Sequence, residues 1–343
     1  MFSTVLGLFS QDLAVDLGTS VTRIHLRNAG TVCEEPTVVA LHTDRGGRRR
    51  VTAIGAEARP MLGRTPDDIQ AVQPIRNGRV ADFEVAEALL LHLVRRVHGR
   101  NGWMRPRMVV AVPHHASDME VRAVRDSCES AGAREVQLVP RPIAAALGAQ
   151  LPIHEPSGTL VVDVGGGSTE VSVLSLSGVV SCHTVDGGGE GMDDAIIDWL
   201  QRERRLLVGR PTAERLKIEL GTASLDHGTR ANALVKGRCL RRGVPRAESV
   251  SAVDVYQALV PHVDAIAAAV RRAIEEAPPE LGSDIVDHGV VLTGGGARLE
   301  GLDRALRDRT GLPVVCAENP ERAVIAGVGR VLDEPGLQLA IAS

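Results

Sequence analysis

Two short glycine-containing turns carry the residues of this chain that are best suited to chemistry. Asp16 opens the run DLGTSV, and Asp163 opens the run DVGGGS. Glycine lets several backbone N–H groups converge on a small space, as the binding of phosphate oxygens requires. Each aspartate adds a carboxylate suited to a hydrated Mg²⁺ beside the phosphates. One such turn is as often an ordinary hairpin, but a third run, Gly294-Gly295-Gly296, favours a triphosphate site.

A lysine and a glutamate share one face of a predicted helix over residues 213–220. Glu214 and Lys217 are three positions apart, so their side chains are neighbours on the helix surface. Thr212 is the predicted N-cap. A carboxylate and an ammonium there suit ribose hydroxyls and an adenine edge, and the competing interpretation is a solvated ion pair. Only two of the 39 basic residues are lysines, and one occupies this position, which favours binding.

The predicted elements around these residues repeat. Residues 12–26 and 159–176 both read as strand, glycine turn and strand, and residues 289–296 as a third strand that ends in a glycine turn. The spacing of apolar residues predicts helices over residues 83–97, 118–131, 192–204, 213–220, 253–276 and 299–309. Strand-turn-strand units met twice among helices indicate two related α/β halves.

Length and composition narrow the function classes. A chain of 343 residues predicts two lobes, and its net charge of -4 argues against a nucleic-acid partner. The arginine-rich run at residues 45–50 is interpreted as a solvated hairpin tip. Five scattered cysteines predict reduced thiols in a cytosol. The sequence contains no apolar run of about 18 residues, and its start lacks the pattern of a secretory signal, so neither a membrane span nor a leader is expected.

The two aspartate turns and the late TGGG run resemble the superfamily of actin, Hsp70 chaperones and sugar kinases. The chain is most similar to the MreB family, through DLAVDLGT, EEPTVVAL, PIRNGRVADF, SGTLVVDVGGGSTEVSVLSL, GRPTAERLKIELG, PPELGSDIVDHGVVLTGGG and LEGLD. The resemblance implies an α/β, ribonuclease H-like duplicated fold with two lobes around a nucleotide cleft. ATP and Mg²⁺ are the implied cofactors.

The resemblance also implies the residues of the nucleotide site. Asp16 and Asp163 are expected to hold Mg²⁺ through water. The phosphate and nucleoside contacts are expected from three turns and one helix, namely Asp16, Gly18, Thr19, Ser20, Val21, Asp163, Gly165, Gly166, Gly167, Glu214, Arg215, Leu216, Lys217, Gly294, Gly295, Gly296 and Ala297. Val21 departs from the family's usual asparagine and removes a polar side chain from the first turn.

The catalytic part of the family pattern is missing. MreB proteins carry Glu-Glu-Pro before an alanine-rich helix, where one glutamate orients the attacking water, and this chain has Pro140-Arg141-Pro142 instead. Phosphoryl transfer needs a group that fixes the nucleophile, so we expect weak or absent ATP hydrolysis. Arg141 is expected in solvent rather than against a phosphate. Ser168, Thr169 and Glu170 are weak candidates for holding the water.

Two segments are predicted to touch a membrane. Phe2, Val5, Leu6 and Phe9 form one apolar face of a short helix, which a lipid interface would order. Trp103 and Met104 lie among arginines in a loop that matches the membrane-contacting loop of MreB proteins, where anionic head groups suit the cations. The competing interpretations are a disordered tail and a helix docked on the protein itself.

The resemblance implies a cytoskeletal function. The leading hypothesis is a cytoplasmic protein, peripheral on the inner face of the cytoplasmic membrane, whose subunits stack head to tail into filaments that govern cell shape through the cell-wall elongation machinery. The alternative is a hydrolysis-deficient paralogue that co-assembles with or regulates another MreB. An Hsp70-like chaperone or a sugar-kinase-type enzyme is the weaker alternative, because neither a substrate domain nor a polar substrate pocket with a base is evident.

The predicted domain organisation has five parts. Residues 1–10 form the membrane-binding segment. Residues 11–33, 74–155 and 318–343 form the core of the first lobe, with residues 34–73 as its small subdomain. Residues 156–186 and 246–317 form the core of the second lobe, with residues 187–245 as its small subdomain.

Overall fold

The computed structural model describes residues 12–98, 105–225, 231–334 and 336–337. They form two compact units. Unit 1 contains the described residues up to Glu155, Leu176–Gly178 and those from Arg322 onward, and unit 2 contains Pro156–Ser175 and Val179–Glu321. The finer division into subdomains stays a prediction.

The described strands and helices follow in chain order. The strands are β1 (Leu13–Leu17), β2 (Val21–Leu26), β3 (Gly30–Pro36), β4 (Val39–Thr43), β5 (Arg49–Ile54), β6 (Ile69–Val72), β7 (Ile75–Arg76), β8 (Arg79–Val80), β9 (Arg107–Val112), β10 (Glu135–Pro140), β11 (Thr159–Val164), β12 (Ser168–Ser175), β13 (Gly178–Asp186), β14 (Leu206–Leu207), β15 (Asn232–Cys239), β16 (Pro245–Ser251), β17 (Val290–Thr293) and β18 (Val314–Cys316). The helices are α1 (Phe83–His98), α2 (Asp118–Ser130), α3 (Arg141–Gly148), α4 (Gly189–Arg204), α5 (Arg210–Leu220), α6 (Ala252–Glu275), α7 (Pro279–His288), α8 (Leu302–Thr310) and α9 (Ala323–Asp333).

Unit 1 is built on a five-stranded sheet with the order β10-β9-β1-β2-β3. Strand β1 pairs antiparallel with β2 and parallel with β9, and β9 pairs parallel with β10. Leu13, Ala14 and Val15 of β1 are completely buried, as expected for a central strand covered on both faces. Helix α9 packs on α3, and a Cβ at Gly327 would lie 1.8 Å from the carbonyl oxygen of Ala144.

Unit 2 repeats this topology. Its five-stranded sheet has the order β13-β12-β11-β17-β18, with β11 antiparallel to β12 and parallel to β17. The central strands β1 and β11 therefore occupy equivalent places, and each carries its aspartate near its carboxyl end. The predicted duplication of strand-turn-strand units is present in the described residues.

Helix α6 is the longest described helix and lies in the core of unit 2. Its length and a mean hydropathy of 1.2 over its most apolar window would be sufficient to cross a membrane, but half of that window is buried within unit 2. Val255, Leu259, Val263, Ile266 and Val270 recur at helical spacing among its buried residues. This burial is typical of a core helix.

Candidate functional site

The first aspartate turn is held by hydrogen bonds from Thr37 and Gly78. The Thr37 hydroxyl donates to the carbonyl oxygen of Gly18 at 2.7 Å. A Cβ at Gly18 would lie 2.6 Å from the carbonyl oxygen of Val21, so this close approach requires glycine. The Thr19 hydroxyl accepts a hydrogen bond from the backbone N–H of Gly78 at 3.0 Å, which ties the turn to the β7–β8 hairpin.

Arg141 reaches this turn across the sheet. Strands β1, β9 and β10 run parallel with Asp16, Ala111 and Val139 in register, so residues that follow β10 arrive at the same sheet edge as Asp16. The Arg141 guanidinium donates to Asp16 Oδ1 at 2.7 Å, and the two side chains are 15% and 4% exposed. Arg23 lies 3.9 Å from the other oxygen, Asp16 Oδ2. The prediction that Arg141 points into solvent is wrong, because the buried aspartate holds it.

The second aspartate turn directs a row of backbone N–H groups to one side. The carbonyls of Gly165, Gly166 and Gly167 accept hydrogen bonds from the N–H groups of residues 189, 190 and 187 at 2.8–3.0 Å. In a trans peptide the N–H points opposite to the carbonyl of the same unit, and these peptides are trans. The N–H groups of residues 166, 167 and 168 therefore face away from the glycine run at residues 187–189. Rows of N–H groups of this kind form the backbone nests that bind anions.

The third glycine turn packs against the end of β11. Gly294 has φ +81°, and a Cβ there would lie 2.3 Å from the carbonyl oxygen of Val164 and 2.6 Å from Asp163 Oδ1. A Cβ at Gly296 would lie 2.3 Å from Val164 Cγ1. The hydroxyl of Thr293 donates to Asp163 Oδ1 at 3.2 Å. Unit 2 thus brings Asp163, the second turn and the third turn together.

The lysine of α5 is fixed onto the glycine run that supports the nest. Lys217 Nζ donates to the carbonyl oxygen of Gly189 and lies 2.8 Å from Asp193 Oδ1. Burial raises the pKa of Asp193 to about 6 against the opposing effect of Lys217, and Glu214 and Glu190 add to the rise. Helix α5 begins at Arg210 after Gly209, so the prediction of Thr212 as its N-cap is wrong. Pro211 in the first turn allows the earlier start.

The other predicted site residues of unit 2 differ in their surroundings. The Leu216 side chain is completely buried in the core of unit 2, and Arg215 forms an exposed ion pair with Glu219 at 2.7 Å. Thr169 and Glu170 are buried on β12, where Glu170 is in register with Asp163.

Two further predictions lie outside the residues that the structure describes. They are the membrane-contacting side chains Phe2, Val5, Leu6 and Phe9, and the side chains Trp103 and Met104.

The sequence interpretation missed the glycine run at residues 187–189 and the carboxylate of Asp193. A Cβ at Gly188 would lie 2.0 Å from the carbonyl oxygen of Gly165, so the run can only approach the nest without side chains. The run DGGGEG at residues 186–191 was the available signal, because so many glycines at a helix start mark a close backbone approach.

Comparison with known proteins gives one consistent family. The sequence profile of the MreB/Mbl protein family matches residues 10–338. The Cell shape-determining protein MreB of Escherichia coli (strain K12) is 47% identical over 330 residues, which cover 95% of this chain and 94% of that protein. The Cell shape-determining protein Mbl of Bacillus subtilis (strain 168) is 39% identical over 326 residues, which cover 95% of this chain and 97% of that protein.

Solved structures agree with the sequence relatives. MreB 5 of Spiroplasma citri bound to AMPPNP aligns with a TM-score of 0.90 at 28% identity, covering 97% of this chain and 98% of that chain. MamK in a double helical filament aligns with a TM-score of 0.77 at 23% identity, covering 94% and 98%. These alignments confirm the actin-like, duplicated α/β fold that was predicted from the sequence.

Proposed function

The chain belongs to the MreB/Mbl family, and from this membership we propose that it is an ATP-binding, actin-like cytoskeletal protein. The observation that carries the proposal is the connected assembly of unit 2. Three N–H groups face one side of the second turn, the glycine run holds their carbonyls, and Lys217 holds the glycine run. Backbone nests of this kind bind phosphate oxygens. The related MreB 5 was solved with AMPPNP and with ADP, which supports a nucleotide as the ligand.

A hydrated Mg²⁺ fits the surroundings of Asp163. The carboxylate supplies hard oxygen donors beside the nest, and the glycine at position 294 keeps a side chain away from Asp163 Oδ1. The ion would neutralise phosphate charge when it is bound. The chain's own contribution is to orient the phosphates by backbone N–H groups and to hold the turn in place.

Binding is tested by titrating a fluorescent ATP analogue into the protein in the presence of Mg²⁺. Gly188→Ala is expected to weaken binding at least about tenfold, because a Cβ there displaces the glycine run from the nest. Gly282→Ala is the matched control, since a Cβ at that position makes only an ordinary contact at 3.9 Å. Equal affinities of the wild type and Gly188→Ala would contradict the phosphate site.

Filament formation and membrane binding complete the proposed function. Copies would assemble head to tail on the inner face of the cytoplasmic membrane and govern cell shape with the cell-wall elongation machinery, as expected for a relative of cell shape-determining proteins. A heterologous contact propagates into a filament when its rotation does not close. Ile218 on α5 and Leu234 on β15 are 75% and 64% exposed, and exposed apolar side chains support a contact with another copy.

Electron microscopy with ATP, with ADP and on lipid vesicles tests the assembly. We expect filaments with ATP, and loss of filaments without loss of thermal stability in Ile218→Asp. The membrane contact is tested by vesicle co-sedimentation of Trp103→Ala and of a variant without residues 1–10. Unchanged sedimentation of both variants would refute it, and a protein that forms no filaments under any condition would favour the regulatory alternative.

A specific contact supports that alternative, a hydrolysis-deficient paralogue that co-assembles with another MreB. Where the family resemblance places Glu-Glu-Pro, with one water-orienting glutamate, this chain has Pro140-Arg141-Pro142, and the Arg141 guanidinium is paired with Asp16. A guanidinium has no acceptor atom, so Arg141 can accept neither a proton from the attacking water nor the hydrogen bond of its O–H. Phosphate release as fast as that of the Escherichia coli MreB relative, measured under the same conditions, would exclude the deficiency.

A further inference from the structure

Asp16 lies in a setting that suits a cation-neutralised structural carboxylate rather than a metal ligand. Its side chain is 4% exposed, Arg141 contacts one of its oxygens at 2.7 Å, and Arg23 lies 3.9 Å from the other. A divalent cation brought to this carboxylate would meet the positive guanidinium groups at the same oxygens. Mg²⁺ therefore does not fit Asp16 as it fits Asp163.

The position of Arg141 in its helix adds to this conclusion. Arg141 is the first residue of α3, whose N-cap Pro140 offers no side-chain hydrogen bond. A cation at a helix N-terminus is unfavourable by about 0.3–1 kcal/mol, because the helix dipole is positive there. The ion pair with Asp16 offsets this cost, so the arginine and the aspartate stabilise each other.

The local charge around this turn is cationic. Arg23 donates to Glu34 Oε1 at 2.8 Å, and Arg322 donates to Glu34 Oε2 at 3.0 Å. Together with Asp16 and Arg141, the cluster contains three guanidinium groups and two carboxylates. A guanidinium has five N–H donors in a planar fork that matches phosphate oxygens, and it stays charged at any physiological pH.

We propose that Arg141 takes the place of Mg²⁺ at the first aspartate turn of unit 1. The guanidinium, held by Asp16, supplies the positive charge that the phosphates meet at the first turn. ATP binding then depends less on Mg²⁺ than it would with a neutral or acidic residue at position 141. This inference rests on the proposed nucleotide-binding function and adds the residue that sets its metal requirement.

The test compares the dissociation constant of a fluorescent ATP analogue in EDTA with that in Mg²⁺. We expect the ratio for the wild type to be about tenfold smaller than for Arg141→Ala or Arg141→Glu, the difference that one charge-assisted hydrogen bond makes. Both variants leave Asp16 Oδ1 without the guanidinium that contacts it, so phosphates are repelled more strongly unless Mg²⁺ bridges them. Arg141→Lys keeps the charge and should keep a small ratio.

The matched control is Arg50→Ala, which removes one exposed arginine from β5 in the sheet β5-β4-β6 and should leave the ratio unchanged. The inference is overturned if the ratio for Arg141→Ala equals that for the wild type. It is also overturned, without any variant, if the wild type alone loses more than about a hundredfold in affinity in EDTA. A wild type that binds no nucleotide in either buffer refutes the proposed function itself, whereas binding in Mg²⁺ that weakens more than about a hundredfold in EDTA refutes only this inference.

Discussion

Ionisation of Asp193 should destabilise the folded protein as the pH rises towards neutrality. The carboxyl is 8% exposed at 2.8 Å from the ammonium of Lys217, and burial raises its pKa from 3.8 to about 6. Because the folded pKa lies above the unfolded value, the folded state holds the proton more tightly than the unfolded chain does. The contribution to stability is therefore complete below about pH 4 and is lost as the pH rises through about 6. A difference of roughly two pKa units corresponds to about 3 kcal/mol.

The measurement is urea denaturation of the wild type and Asp193→Asn across this pH range. Asparagine cannot ionise, so its free energy of unfolding should match the wild type at low pH and exceed it by about 2–3 kcal/mol at pH 7. Asp194→Asn is the matched control, because the Asp194 side chain is 48% exposed in an ion pair with Arg210. This substitution should change the free energy of unfolding by less than about 1 kcal/mol. A difference between wild type and Asp193→Asn that is constant with pH would refute the assignment of a raised pKa.

Two further substitutions test the packing and the buried charge of unit 1. Gly327→Ala should lower the free energy of unfolding by about 1–3 kcal/mol, because its Cβ would lie 1.8 Å from the backbone of Ala144. We expect its melting temperature to be lower than that of the control Gly282→Ala. Asp12→Ala should lower the free energy of unfolding by about 3–5 kcal/mol, measured by urea denaturation. Two guanidinium groups lie within 3.3 Å of the buried Asp12 carboxylate and lose this partner in the variant. The exposed Asp67→Ala is its control, and equal losses from both aspartates would contradict the buried network.

The sequence was sufficient for the strand-turn-strand units and most helices, because their patterns lie within short contiguous stretches. It failed for α9, whose sequence AVIAGVGRVLD is short and carries charge only at Arg330 and Asp333. The structure explains the failure, since buried residues occur on several sides of a helix that packs against both α3 and the strands of unit 1. A helix covered on several sides keeps only a narrow polar stripe, here Arg330 and Asp333, which is a weak signal for periodicity in eleven residues.

The same limit applies to the candidate site. Glycine and aspartate spacing predicted both turns, because each turn is one local segment. The contact of Arg141 with Asp16 joins residues 125 positions apart, and only the register of three parallel strands brings them together. The sequence does not reveal this register, and Arg141 was therefore predicted to lie in solvent.

The duplicated sheets give the two aspartates equivalent backbones and opposite electrostatic surroundings. Asp16 on β1 lies opposite Arg23 on β2. At the equivalent register position, Asp163 on β11 lies opposite Glu170 on β12. A carboxylate opposite an arginine is already neutralised, but two carboxylates facing each other favour a divalent cation between or beside them. We therefore expect the backbone turn of each unit to recognise phosphate, with an arginine as the positive charge at the first turn and a metal ion at the second. On this expectation, the residues at positions 23, 141 and 170 decide which turn uses a metal.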